Sequence, residues 1–364
     1  MIVHTRTAVS FSLYITILLF FAFVCIPRIV ICWQFAAAKL PEDVFIWKFA
    51  VWRNRAFLAI PSWRKNDTSE KKVTLFEAIW PESRFSLVKP SKIHSSTLLG
   101  KRRNDKNCLR SVVELDVDIR GRLWLLEVPD DPTCFARIVI YNLKRNNQLI
   151  SSTDLVNVPI KNLRALVVDY SGDKAYIGDP GDESIIAFVP GKARWWKIKM
   201  IHGPEVPRVF STDLAISGKN SMLYMTGSNT LDLFSINLEE VWNDQNTLLC
   251  KDKQRNVTVV WRGTKMGTSS GLFCDVKGGL HYFMSSERAS VRWDTKLPLK
   301  AESHAVLVQN QNYPCISDYA MDGQKNLWAL INSRCPFTTD FHMIHPFNVS
   351  LKSRTTRIGR FSVS

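Results

Sequence analysis

A chain of 364 residues with 46% hydrophobic residues can bury a sizeable core, which excludes disorder over its whole length. Its twelve Trp and twenty Phe residues favour a sheet-rich interior. The formal net charge of +15 favours acidic partners, namely a polyanionic matrix, an anionic membrane surface or an acidic protein, although solubility alone would also explain it.

The first element in chain order is a targeting segment at residues 1–38. An uncharged, mostly apolar run at 8–26 is followed by a second apolar stretch that ends in three alanines at 36–38, a small-residue pattern that suits signal peptidase. The run is also just long enough to span a bilayer, so a cleaved signal peptide and an uncleaved anchor are both open. We predict cleavage, an extracellular location, no stable membrane insertion of the mature chain 39–364, and no nucleic-acid partner.

Beyond the targeting segment a short pattern recurs: an apolar strand, a polar turn that often contains Asp and Gly, and a second apolar strand led by an aromatic residue. In Asp-x-x-Gly the Asp can hydrogen-bond its own backbone and the Gly accepts a positive φ, so the motif makes a tight turn between two strands. The aromatic residues that mark the copies are Phe57, Trp124, Tyr176, Tyr224, Tyr282 and Trp328.

The spacing of these markers predicts the fold. They lie roughly 45 to 70 residues apart, and 40 to 50 residues is the usual length of a four-stranded propeller blade. Each blade has two apolar faces, which closure into a ring buries against neighbouring blades. We therefore predict an all-β protein, with one six-bladed β-propeller domain over 39–364 and one short helix or loop at 238–249. A β-sandwich is the alternative.

Catalytic motifs are missing from the sequence. It has no recognisable nucleophile elbow, P-loop, dinucleotide fingerprint or His-Glu-x-x-His motif. His342 and His345 are three residues apart, which places them on opposite faces of a strand. We therefore predict no metal and no cofactor, and catalysis remains undemonstrated.

Inner strands line the central channel of a propeller, where ligands usually bind. In three blades, the residue four positions before the first residue of the hairpin turn is a carboxylate. Acidic residues are otherwise depleted in strands. Either the carboxylates form a channel mouth that binds a cation or a small amine, or they cap turns or pair with a neighbouring Arg such as Arg110. The channel candidates are Glu114, Asp213 and Asp318, together with the polar residues Arg164, Thr212, Ser270 and Ser317 at the preceding position of the repeat.

Covalent features agree with export. Cys108 and Cys134 flank the strand pair around the turn at Asp118, so a hairpin brings them together and we predict a disulfide between them. The pairing of the other four cysteines beyond the targeting segment is open; they are Cys250, Cys274, Cys315 and Cys335. N-glycosylation is predicted at the three sequons, Asn66, Asn256 and Asn348.

Basic segments offer a further candidate surface. Residues 192–199 alternate charged and apolar side chains, as a half-exposed outer strand would. Such a strand either presents a solvated face or docks an acidic matrix.

Several stretches resemble the yellow / major royal jelly protein family of insects. Residues 118–126, Asp-Ile-Arg-Gly-Arg-Leu-Trp-Leu-Leu, are similar to its D-x-C-G-R-L-W-V-L-D signature, and residues 175–179, Ala-Tyr-Ile-Gly-Asp, resemble its A-Y-I-x-D. The resemblance extends from about Trp47 to Asn332. Arg120 replaces the Cys of the signature, and Glu127-Val-Pro replaces the Asp-Ser/Thr-Gly that usually follows, so the chain resembles a divergent member.

The resemblance implies three functions from different classes. The first is a secreted binding or matrix protein of cuticle, eggshell or secretion, with acidic extracellular partners. The second is an enzyme that isomerises dopachrome-like catechol derivatives. The third is a secreted protein that sequesters biogenic amines. The net charge and the divergent motifs favour the first.

Overall fold

The computed structural model describes residues 33–41, 44–60, 73–83, 86–93, 108, 110–161, 163–227, 230–242, 254–333 and 353–361. All of them belong to one compact unit, Cys32–Ser364. The described residues form six sheets arranged as a β-propeller, so the predicted all-β fold with six blades is confirmed.

The first three blades run through strands β1 to β12. Blade 1 contains β1 Lys48–Trp52, β2 Arg55–Ala59, β3 Leu75–Ile79 and β4 Lys89–Pro90. Blade 2 contains β5 Arg110–Val117, β6 Arg122–Pro129, β7 Ala136–Asn142 and β8 Gln148–Leu155. Blade 3 contains β9 Leu166–Val168, β10 Ala175–Asp179, β11 Ser184–Val189 and β12 Arg194–Ile201.

The last three blades follow with one crossing between blades. Blade 4 contains β13 Asp213–Ser217, β14 Met222–Thr226, β15 Asp232–Asn237 and β17 Val260–Thr264, and blade 5 contains β18 Ser269–Cys274, β19 Gly279–Met284, β20 Ala289–Asp294 and β21 His304–Gln309. Blade 6 contains β22 Cys315–Met321, β23 Asn326–Asn332 and β24 Arg354–Arg360. Short helical elements are α1 Leu238–Trp242 and the 3-10 turns Ala36–Ala38, Leu143–Arg145, Pro190–Lys192 and Ala301–Ser303.

The crossing involves β16, Gln254–Thr258, which leaves the sequence order of the blades. After β15 and α1 the chain adds β16 in parallel to β12, at the outer edge of blade 3. It then returns through Val259 to form β17 at the outer edge of blade 4. The predicted helix at 238–249 therefore exists as α1 over its first five residues, and the rest of that range lies outside the described residues.

The turn motif folds as its chemistry requires. Asp118 Oδ1 accepts hydrogen bonds from the backbone N–H groups of Arg120 at 2.9 Å and Arg122 at 3.0 Å, while Oδ2 accepts one from Trp124 Nε1 at 2.8 Å. Gly121 has a φ of 76°, in the region that favours glycine. The aromatic side chain thus locks the turn at the start of its blade.

The same arrangement recurs in blades 5 and 6. Asp322 accepts from Trp328 Nε1 at 2.8 Å, and Asp275 Oδ2 lies 2.9 Å from His281 Nε2. In blade 5 the ring that contacts the turn carboxylate is therefore His281, and the aromatic marker Tyr282 is one residue further along.

The core consists of apolar clusters between adjacent blades. Aromatic residues such as Phe57, Trp124 and Tyr282 are fully buried in them. The inner strands contact one another in the closed order β1, β5, β9, β13, β18, β22 and back to β1. The fold thus brings the first and last inner strands together.

Residues just before the predicted boundary at 38 belong to this core. Trp33 and Phe35 are fully buried in the cluster that blade 1 shares with blade 6. Gln34 forms an isolated parallel bridge with Leu87 of blade 1. A chain that began at residue 39 would lose these contacts.

Candidate functional site

The three predicted channel carboxylates lie at one register on three inner strands. Glu114, Asp213 and Asp318 are all buried, on β5, β13 and β22. Each pairs with the residue two positions after the aromatic marker of its blade. In β5 and β22 a β-bulge directly precedes the carboxylate, and a bulge re-aims the side chain that follows it.

A lysine that the sequence analysis missed lies among them. Lys48 begins β1 and pairs with Ala59, two positions after the aromatic marker of blade 1, so it holds the same register. Its Nζ lies 3.2 Å from Glu114 Oε2 and 3.4 Å from Asp318 Oδ1. The cation that contacts these carboxylates is therefore Lys48. We call Lys48, Glu114, Asp213 and Asp318 the axial cluster.

The charges of the axial cluster depend on one another. Burial by itself would lower the pKa of Lys48, but the charges of Asp318, Glu114 and Asp213 raise it above its ordinary value. Burial raises the pKa of both Glu114 and Asp318, and the charge of Lys48 opposes this shift. Lys48 is therefore charged at neutral pH, while the carboxylates outnumber it.

A fourth carboxylate lies beside the cluster. Asp116, also on β5, accepts a hydrogen bond at 3.1 Å from the backbone N–H of Val168 in blade 3. Burial raises the pKa of Asp116 to about 6, assisted by the charges of Asp118 and Asp318 and opposed by hydrogen bonds from Val168 and Val117. The axis of the propeller is therefore acidic within a protein that is basic as a whole.

The polar residues at the preceding position connect strands. Ser270 Oγ donates to Ile316 O at 2.7 Å, which joins blade 5 to blade 6, and Thr212 Oγ1 donates to Thr226 O at 3.1 Å within blade 4. Arg164 is half-buried, and burial lowers its pKa. A ligand role for Arg164, Thr212, Ser270 and Ser317 stays a prediction.

Ser317 belongs to the seam that closes the ring. Its Oγ donates to Ile46 O at 3.4 Å, ahead of β1, and accepts from Asn332 Nδ2 at 2.6 Å. Asn332 in turn accepts from the backbone N–H of Ile46 at 3.1 Å and donates to its carbonyl at 2.8 Å. Asp318 Oδ2 accepts from the backbone N–H of Phe49 at 2.9 Å. Buried polar side chains of blade 6 thus hold the segment that leads into blade 1.

A second buried lysine joins blades 4 and 5. Lys265, in the connection between β17 and β18, donates to Thr226 Oγ1 at 2.5 Å and to Ser269 Oγ at 2.6 Å. Burial lowers the pKa of Lys265 to about 8, and the charges of Asp213 and Asp232 oppose this shift. No repeat signal marks Lys265, because it lies outside the turns and inner strands.

Ser269 is also the middle of a Gly-x-Ser-x-Gly stretch at 267–271, which has the letters of a nucleophile elbow and which the sequence analysis missed. A nucleophile elbow places its Ser on a sharp turn from a strand to a helix, with the hydroxyl exposed. Ser269 instead begins strand β18 and is buried. The stretch therefore matches the letters of the motif without its structure.

Disulfide and glycosylation predictions have separate outcomes. The Cys108–Cys134 disulfide is confirmed, with a Cα–Cα distance of 6.1 Å. Cys274 is free and Cys315 is disulfide-bonded, so these two neighbours are not joined. Cys250 and Cys335 lie outside the described residues, as do the sequons at Asn66 and Asn348. Asn256 is exposed on β16, where a glycan could be attached.

The described residues contain neither a metal-binding cluster nor a membrane-spanning helix. No group of three or more His, Cys, Asp or Glu side chains is arranged to hold a metal ion in this part of the chain. Nor does any described helix have the length and apolar character needed to cross a membrane.

Comparison with known proteins identifies the family. The family model described as major royal jelly protein matches residues 110–358, which covers most of blades 2 to 6. The chain belongs to the major royal jelly protein family. A search of curated proteins finds no significant match to this family member.

Solved structures share the fold of this major royal jelly family chain. A luciferin-regenerating enzyme has a TM-score of 0.52 and 13% identity, covering 89% of this chain and 95% of that one. A virginiamycin B lyase from Staphylococcus aureus has a TM-score of 0.48 and 9% identity, covering 79% and 78%. At such low identity the first likeness supports the fold alone.

Proposed function

We propose that this family member is a secreted extracellular binding or matrix protein, with acidic partners outside the cell. Membership of the major royal jelly protein family supports the yellow-like character. The observation that carries the proposal is that a lysine of the chain itself forms ion pairs with carboxylates of the axial cluster. Lys48 contacts both Glu114 and Asp318, and these ion pairs between three blades favour a structural role for the two carboxylates over a catalytic one.

Localisation and catalysis can be tested on the same preparation. The full chain, tagged at its C-terminus, is expressed in insect cells, and the medium, the extracellular matrix and the membranes are assayed. We expect the protein in the medium or matrix, without its targeting segment. Purified protein mixed with dopachrome should decolourise it no faster than a heat-killed control. Retention in membranes, or faster decolourisation than the control, would contradict the proposal.

A second candidate is the binding of a small amine or catecholamine near the axis. It is favoured by one observation: the carboxylates of the axial cluster, with Asp116 beside them, outnumber Lys48. A protonated amine would then be held by charge-assisted hydrogen bonds in a cleft whose low-dielectric walls focus the field.

Calorimetry with dopamine and serotonin tests this candidate. Asp213→Asn should weaken binding about tenfold, the loss of roughly one charge-assisted bond. Asp130→Asn, at an exposed position outside the axis, is the matched control and should leave the affinity unchanged. If the parent protein binds neither amine, the axial cluster is structural only.

A further inference from the structure

The hairpin turns between the first and second strands of the blades lie around the axis on one side of the propeller, and the turns of blades 1 to 5 contact one another in blade order. We call the side of the propeller that carries them the turn face. Neighbouring turns touch: a side chain at Gly121 would collide with Trp52, and Arg122 donates to the carbonyl of Gly172. The contacting pairs, in blade order, are Trp52 with Gly121, Arg122 with Gly172, Tyr170 with Gly218, and Lys219 with Gly278.

Every blade places a basic side chain at or next to its turn. In blade order these are Arg53, Arg120, Lys174, Lys219, Lys277 and Lys325. Two of them already have contacts on the surface, since Arg120 pairs with Asp173 at 2.7 Å and Lys174 Nζ lies 4.0 Å from the centre of the Trp242 ring. Arg53, Lys219 and Lys277 are exposed.

A second set of basic side chains surrounds these turns on the same face. The hairpins between third and fourth strands, and the end of β24, supply exposed Lys144, Arg145, Lys192, Arg194, Lys296, Lys300 and Arg360. Exposed acidic side chains on the described part of the turn face are fewer, namely Asp173, Glu239, Glu240 and Glu302.

The opposite face is electrostatically balanced over the residues that the structure describes. Its exposed basic side chains include Lys39, Lys92, Lys161, Lys199 and Arg208, and its exposed acidic side chains include Asp130, Asp131, Asp182, Glu205 and Glu287. The excess positive charge of the described propeller is therefore concentrated on the turn face. The exposed basic side chains of the turn face give it a positive field, which attracts a polyanion and orients its approach.

We propose that the turn face binds an anionic, sulfated polysaccharide. The basic side chains stand on short hairpins from separate blades, so each can contact a different charged group of an extended chain. Tyr170, in the turn of blade 3, is 60% exposed. Its flat aromatic face and its hydroxyl suit packing against a sugar. This inference rests on the proposed extracellular function and names the chemistry of the acidic partner.

The experiment measures binding of the full secreted chain to heparin over a series of NaCl concentrations. The test variant combines Arg53→Gln, Lys219→Gln and Lys277→Gln. The control combines Lys92→Gln, Lys161→Gln and Arg208→Gln on the opposite face, and so removes the same number of charges. Circular dichroism and thermal melting establish that both variants fold.

The turn-face variant should bind heparin about tenfold more weakly at 0.15 M NaCl. The slope of log Kd against log [NaCl] should fall by about two to three, because each basic side chain that contacts an anionic group of the polymer adds about one to this slope. The control should stay within about twofold of the parent. Equal losses in both variants would mean that only net charge matters, and would overturn the proposal.

Two further outcomes would also overturn it. One is a parent protein that does not bind heparin at 0.15 M NaCl. The other is binding to phosphatidylserine vesicles through the same residues without binding to heparin, which would identify a membrane as the partner. A secreted chain that fails to bind heparin contradicts this inference alone, whereas a chain that binds heparin but is never exported contradicts the proposed function.

Discussion

Replacing Lys48 with methionine tests how the propeller is closed. The substitution keeps the length of the side chain and removes the charge that contacts Glu114 and Asp318. Both carboxylates are buried, so the variant leaves them without their cation. Removing one partner of a buried ion pair typically costs about 3–5 kcal/mol, a large part of the 5–15 kcal/mol that stabilises an ordinary domain.

The cost should depend on pH in a definite direction. Burial already raises the pKa of Glu114 and Asp318, and loss of the Lys48 charge raises it further. As the pH falls, these carboxyls take up protons in the folded variant and their uncompensated charge disappears. The difference in the free energy of unfolding between parent and variant should therefore be largest at pH 7–8 and smaller at pH 5.

Guanidinium denaturation followed by tryptophan fluorescence at pH 5, 7 and 8 measures this difference. Lys199→Met, at an exposed position, should change stability by less than about 0.5 kcal/mol. The triple variant Lys48→Met, Glu114→Gln, Asp318→Asn removes all three charges and should recover part of the loss. A cost for Lys48→Met below about 1 kcal/mol, or one that does not vary with pH, would refute the reasoning.

Three other predictions follow from described contacts. Because Trp33 and Phe35 are buried in the core, N-terminal sequencing of exported protein should find a start before Trp33; a start at residue 39 in a folded protein would contradict this. Replacing Cys108 and Cys134 with Ser opens a link of sequence separation 26 and should lower stability by about 3 kcal/mol in denaturation, against an unchanged value if the bridge adds nothing. Burial raises the pKa of Glu82 to about 7, so its folded form retains a proton that the unfolded chain releases, and its contribution to stability falls as pH rises from about 4.5 to 7. Glu82→Gln should flatten this dependence by about 3 kcal/mol, and an unchanged pH profile would count against it.

The turns and the inner carboxylates could be predicted from the sequence because both are local patterns. Asp118 and Gly121 satisfy their own turn, and the aromatic residue that follows fixes the register. Lys48 was missed because the turn of blade 1 contains Arg53 and Asn54 without the Asp and Gly of the motif. The pairing of Lys48 with Ala59, which gives Lys48 the same register as the carboxylates, is visible only in the structure.

Other features had no local signal. The parallel pairing of β16 with β12 joins segments that are distant in sequence, and nothing in residues 254–258 indicates which blade they extend. The position of Lys265 depends on Thr226 and Ser269 from two blades. Such contacts join different blades, so they can be recognised only when the positions of neighbouring blades in the ring are known.

The seam between the ends of the chain has a consequence for biosynthesis. Lys48 and Asp318 are separated by 270 residues, and Ile46 and Asn332 by 286. At a translation rate of about 5–20 residues per second, Lys48 waits on the order of 15 to 50 seconds for its second partner to be made. Until then the face of blade 1 that later packs against blade 6 stays exposed, together with polar groups that are buried in the folded protein. A chain cut short before blade 6 keeps that face exposed, and exposed apolar surface of this kind makes an incompletely folded chain prone to aggregation.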